Sequence, residues 1–231
     1  MTREELVQKV KVKLEELSPF DYDKTNMIAL QGLQPNDKQL EINPIYSYIE
    51  ASLDDSCNEV LKTIPLHMIT PREHTIAPAA QQIRWSPYYK MVYSLPSNYL
   101  RLYSVQLTDW IRPVMEVSSY EREDGVFSGN IYTMGKPTRP IVIEDYGVGN
   151  DGIVKQLHCY STKQPDQAEV LRYVPKFETT DDGRDKEGNS DKLANLYALM
   201  TAMNVQLVYG NENAYKQLSA EYQLLIKANE Y

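Results

Sequence analysis

The stretch Leu193–Gly210, LANLYALMTAMNVQLVYG, runs for eighteen residues without a charge in a chain that is 24% charged. At 100° per residue, Leu193, Leu196, Tyr197, Met200, Met203 and Leu207 fall on one apolar stripe. The opposite face carries Ala198, Leu199, Ala202, Val205 and Tyr209, where a surface helix would place charges. A helix apolar on both sides has to be covered on both sides. Burying a Leu, Met or Val side chain contributes roughly 1.5–3 kcal/mol, so a second face left in water would forfeit several such contributions. The cover comes from the rest of this chain or from another copy of it. The run approaches the length of a membrane span, but Asn195, Thr201, Asn204 and Gln206 interrupt it. A buried helix, with no membrane partner, is the expectation.

Working outward, Glu212–Asn229 repeats the helical period with Ala214, Tyr215, Leu218, Tyr222, Leu225 and Ile226 on one side, and Asn211 is placed to cap it. Upstream, residues 178–191, ETTDDGRDKEGNSD, read as a polar, flexible loop or linker. From Ile83 to Pro175 the period changes to alternation. Tyr89–Leu95, Leu100–Leu107, Ile111–Val117, Ile141–Asp145, Val154–Ser161 and Val170–Val174 are expected strands, with a short one near Asn130–Thr133.

At the other end, Thr2 and Glu5 have capping-box spacing before a helix to Leu17, striped by Leu6, Val10 and Leu14. Residues 18–42 look irregular. Asn43-Pro44 opens a helix to about Thr63, with Ile45, Tyr48, Ile49, Leu53, Cys57, Val60 and Ile64 inward. The expected class is α+β: a helical bundle from residues 1–80 and 178–231, with an inserted β-rich domain at 81–177.

Composition narrows the function. The sequence, 231 residues with 42% hydrophobic content, suits a globular protein with a real core. Its charged opening, Met1-Thr2-Arg3-Glu4-Glu5, reads as lacking a secretory signal. Cys57 and Cys159 suggest neither a disulfide framework nor a zinc site. A net charge of −8 argues against phosphate-neutralising nucleic-acid binding, though not against a surface past which DNA slides. The 18 Tyr against 3 Phe fit either an interface or a half-exposed sheet.

Motifs for catalysis are missing: there is no G-x-S-x-G, Walker A loop, H-E-x-x-H or C-x-x-C, and the one G-x-G-x-x-G spacing does not open a helix. Gly147-Val148-Gly149-Asn150-Asp151-Gly152 lies between strand patterns and reads as a hairpin turn. His158 and Cys159 are adjacent on a strand, so their side chains point to opposite faces. Asp181-Asp182-Gly183-Arg184-Asp185 lacks calcium-loop spacing. No catalytic residue, metal or cofactor is assigned. Trp85, Tyr88, Tyr89 and Trp110 keep a second class open, a virion-associated carbohydrate-binding or cell-wall-hydrolysing protein, because aromatics stack on sugars and 32 acids supply close pairs.

Three segments taken in order resemble one family. Leu95-Pro96-Ser97-Asn98-Tyr99-Leu100-Arg101-Leu102 resembles the LP-x-(D/N)-(F/Y)-L-R-L strand entry of tail tubular protein A-like head-to-tail adaptors of short-tailed bacteriophages. Leu171-Arg172-Tyr173-Val174-Pro175 before a polar loop is the second. The third is the helix pair ending Tyr222-Gln223-Leu224-Leu225-Ile226-Lys227-Ala228. The chain departs from the family at 18–42 and in the acidic loop 178–191. Its tyrosine- and asparagine-rich style is also similar to ring proteins of crAss-like phages.

The resemblance implies a non-enzymatic virion protein, made in the host cytoplasm and placed in the neck or tail. It implies a homo-oligomeric ring of about a dozen copies that contacts the portal protein and other tail or ring proteins. Genomic DNA would pass through its channel during ejection without specific binding. The residues expected at contacts between copies are Ala198, Ala202, Val205, Tyr209, Tyr222 and Ile226. Asp181, Asp182, Arg184 and Asp185 are expected to order against an adjacent ring.

Overall fold

Four helices and two antiparallel sheets make the described residues an α+β protein. The computed structural model describes residues 1–17, 44–75, 78–82, 89–118, 137–149, 152–162 and 168–228. The irregular segment 18–42, the cap at Asn43, the strand near Asn130–Thr133 and the aromatics Trp85 and Tyr88 lie outside them. The chain divides into two compact units, Met1–Thr70 with Phe177–Tyr231, and Pro71–Lys176.

The first unit is helical: α1 (Arg3–Leu17), α2 (Pro44–Thr63), a 3-10 turn (Leu66–Met68), α3 (Asn189–Val208) and α4 (Glu212–Ala228). Thr2 and Glu5 form the expected capping box. The Thr2 N–H donates to Glu5 Oε2 at 2.8 Å and the Glu5 N–H to Thr2 Oγ1 at 3.2 Å. Gly210, at φ +69°, ends α3. Asn211 Oδ1 then accepts the Ala214 N–H at 3.2 Å and starts α4.

Helices α1, α2 and α4 all pack on α3. From Leu193 to Gln206 only Asn195 of α3 is exposed. Ala198, Leu199, Ala202 and Val205 are buried within the single chain. The second apolar face is therefore covered by this chain's own helices. Its polar groups are served locally. Thr201 Oγ1 donates to the Tyr197 carbonyl at 2.8 Å, and Asn204 Nδ2 donates to Ser56 Oγ at 2.8 Å. Tyr197 is the exception, a fully buried ring whose hydroxyl meets no hydrogen-bonding group among the described residues.

Two asparagines hold the chain where it leaves this unit and where it returns. Asn189 Oδ1 accepts the Thr70 N–H at 2.8 Å, and Asn58 Oδ1 accepts the Phe177 N–H at 2.8 Å.

The second unit contains β1 (Arg72–Glu73), β2 (Ala79–Gln82), β3 (Tyr89–Ser94), β4 (Tyr99–Leu107), β5 (Ile141–Gly149), β6 (Gly152–Thr162) and β7 (Ala168–Pro175). Its sheets run β1-β7-β4 and β2-β3-β6-β5, with every neighbour antiparallel. Side chains of both sheets enter one core that includes Tyr93, Leu102, Val105, Val142, Leu157, Cys159 and Tyr173. Three expectations need correction here. Strands begin at Arg72, before Ile83. Ile111–Val117 forms no strand, only a single bridge from Val114 to Val105. Strand β5 continues to Gly149 rather than stopping at Asp145.

Two substitutions test the helical core. Ala202→Glu should remove the cooperative thermal transition followed by circular dichroism, because it buries an unpaired charge. Ala202→Leu should cost about 1–3 kcal/mol by overpacking. Tyr197→Phe should keep or raise Tm, since it deletes a buried hydroxyl whose desolvation costs roughly 1–3 kcal/mol when unpaired. A drop of several degrees would show that the hydroxyl is satisfied.

Candidate interaction surface

Cover on α3 stops abruptly at Gln206. The next three residues turn outward, with Leu207 63%, Val208 62% and Tyr209 40% exposed. These three span about 200° of the helix circumference, so they are exposed around the end of α3 rather than along one face. Tyr48, 46% exposed at the start of α2, meets the Tyr209 ring edge-on with centroids 5.7 Å apart. On another side of α2, Lys11 Nζ lies 4.5 Å from the centre of the Tyr46 ring. The result is an exposed aromatic pair, Tyr48 and Tyr209, on the helical unit, with Leu207 and Val208 exposed on the adjoining last turn of α3. Tyr48 was expected to point inward and does not.

The six residues expected between copies separate into two groups. Ala198, Ala202, Val205 and Tyr222 are buried inside the single chain, so a neighbouring copy cannot reach them. That expectation is corrected: the face these residues make is covered within the single chain. Tyr222 lies against α2, its hydroxyl 3.3 Å from Thr63 Oγ1. Tyr209 and Ile226 retain exposed surface.

Loop 178–188 is folded rather than a flexible linker. Thr179 bridges Asp185, the Thr180 N–H donates to the Arg184 carbonyl at 2.7 Å, and the Lys186 N–H donates to the Glu178 carbonyl at 3.0 Å. Gly183 takes the left-handed conformation, φ +74°, that such a tight reversal needs. Its carbonyl accepts the Arg3 N–H at 2.8 Å, which ties the loop to the start of α1. Asp181, Asp182 and Arg184 remain exposed, and Asp185 is half-buried. The Thr180 hydroxyl, with help from Arg184, holds the Asp182 carboxyl below the usual carboxylate range. These charges are organised by the loop itself and stay accessible.

The remaining chemical candidates resolve into structure. Leu95-Pro96-Ser97-Asn98 makes the turn from β3 into β4. The Tyr99 N–H donates to the Pro96 carbonyl at 3.0 Å, and the Tyr173 hydroxyl donates to Asn98 Oδ1 at 3.2 Å. Tyr99 is buried, stacks on Tyr173 at 5.8 Å and donates its hydroxyl to Glu144. Burial, reinforced by that carboxylate, pushes the Tyr99 phenol well above its ordinary pKa. Trp110 is buried in the same core, which removes it from a sugar-stacking platform. His158 and Cys159 lie on opposite faces of β6, as alternation requires. Among the described residues no His, Cys, Asp and Glu group could hold a metal, and no helix is long and apolar enough to cross a membrane.

Burial pushes both Cys57 and Cys159 thiols upward from their ordinary pKa. Both should resist a maleimide in the native protein and react fully in denaturant, as read by mass spectrometry. Rapid native labelling of either would contradict the packing described. No protein family and no curated protein matches the chain.

Proposed function

We propose that the chain is a structural subunit of a tailed-bacteriophage virion. It is a head-to-tail adaptor whose copies form a ring between the portal and the tail components. In this reading the helices from the two ends of the chain form a bundle, and the β-rich segment is an insertion in it. The observation that carries the reading is the exposed surface of Tyr48, Leu207, Val208 and Tyr209. Leaving such groups in water forfeits roughly 1.5–3 kcal/mol per fully exposed side chain, and clustered apolar surface marks a contact site. The order of the three resembling segments supplies the type of assembly.

The charge distribution supports it further. The helical unit has 12 Lys and Arg against 21 Asp and Glu, while the strand unit has 12 against 11. An acidic wall repels phosphates, so DNA can pass without adhering.

Purified protein should sediment as multiples of the protomer across a concentration series, and its images should show a ring with a central channel. Leu207→Asp combined with Val208→Asp should leave the monomer's Tm nearly unchanged, within about 0.5 kcal/mol per site, and abolish the assembled species. A monomer at every concentration, with glycan cleavage abolished by one Asp or Glu substitution, would replace the adaptor by a hydrolase.

A further inference from the structure

Strands β5 and β6 form a hairpin that outruns its sheet. Strand β3 pairs with β6 only as far as Gln156, and the Leu95 N–H makes a last bond to the Lys155 carbonyl at 2.9 Å. Beyond that point, among the described residues, β5 and β6 pair only with each other, up to Gly149 opposite Gly152. The face that sends Val142, Leu157 and Cys159 into the core continues along this overhang as Lys155, which reaches back to Glu144 at 3.4 Å, and then as Tyr146, Val148 and Ile153. These three are 67%, 88% and 80% exposed. The reverse face carries Asp145, Gly147, Val154 and Gln156, and the Gln156 amide lies where a Cβ on residue 147 would sit. The overhang therefore carries its three most exposed apolar side chains on one side, with Lys155 at their base.

We propose that this hairpin is the arm by which one copy grips the next, its apolar face seated on the Tyr48, Leu207, Val208 and Tyr209 surface of the neighbour's helical unit. The inference rests on the ring reading and specifies the contact within it. Charge selects this pairing. Each helical unit carries 21 Asp and Glu against 12 Lys and Arg, so two of them repel by net charge, whereas a strand unit with 11 against 12 meets it without that repulsion. Two unlike patches on one chain generate a head-to-tail contact, which closes into a ring or runs on as a filament. Size sets its strength. Three exposed side chains present on the order of 400 Å², short of the ~800 Å² per partner of a standard stable interface. A single contact is weak, and closure of the ring, in which every copy makes two contacts, stabilises it.

The native cysteines are buried, so introduced thiols can be addressed selectively in the full chain. Full chains carrying Val148→Cys are mixed with full chains carrying Val208→Cys and treated with a short bismaleimide. The mixture should give covalent dimers in severalfold higher yield than either variant alone, and Val148→Asp with Ile153→Asp should reduce the assembled wild-type species to monomer without lowering Tm. Equal cross-linking of Val148→Cys alone would mean that hairpins meet each other, which overturns the arm. Assembled wild-type protein with no cross-linking in the mixture would overturn the arm and leave the ring standing. Wild-type monomer at every concentration, again without cross-linking, would overturn both.

Discussion

From Leu193 to Gln206 helix α3 has almost no face for water, and most of the helical unit follows from satisfying it. Three helices are needed to cover such a surface, and they come from opposite ends of the sequence: α1 and α2 before the strands, α4 after. Everything between Thr70 and Phe177 must leave the helical unit and return to it. Closing a loop of that length costs only slowly increasing entropy, about 0.6 kcal/mol per doubling. Burial along α3 outweighs it. Asn58 and Asn189 bond the backbone at both crossing points, which gives the polar groups there partners inside the unit. The long excursion is thus tolerated because its two ends are fixed by the helices it interrupts.

Much of this was legible in the sequence because it is local chemistry. The Thr2–Glu5 box, the Gly210 stop and the Asn211 cap depend on a few adjacent residues. Strands β3, β4, β6 and β7 announce themselves by alternation over a full strand length. What failed depended on distant partners. Among the described residues, the alternation of Ile111–Val117 has no neighbour to complete a ladder beyond one bridge. Strand β1 is too short for any period and exists because β7 offers it an edge. Loop 178–188 has the composition of a linker, yet its own backbone bonds and the start of α1 fold it.

The candidate surface shows the same division more sharply. Periodicity states that Ala198, Ala202 and Val205 are covered, but the pattern is identical whether the cover is a helix of the same chain or of another copy. Small residues serve close approach in either case. Tyr48 fits the inward stripe of α2 by spacing, but it stands one turn from the helix start, where the opposing helix α3 is ending. Its side chain faces Tyr209 rather than a closed core. The tyrosine surplus divides likewise. Tyr93, Tyr99, Tyr173 and Tyr197 fill cores, while Tyr48, Tyr146 and Tyr209 lie on the surface.

The position where internal cover ends therefore carries more functional information than the apolar run itself. Up to Gln206 the run is a folding device, and contacts with other molecules have no access to it. After Gln206 the same composition becomes surface, because α3 outlasts its cover by a single turn. The hairpin follows an equivalent rule in the strand unit: its inward face is core while β3 supports β6, and becomes surface where that support stops. In both places an apolar pattern continues past the structure that uses it. A selected fold with no outside partner would gain solubility by ending each pattern with its cover. Continuation at two sites, on units of unlike charge, is what the proposed contact between copies would use.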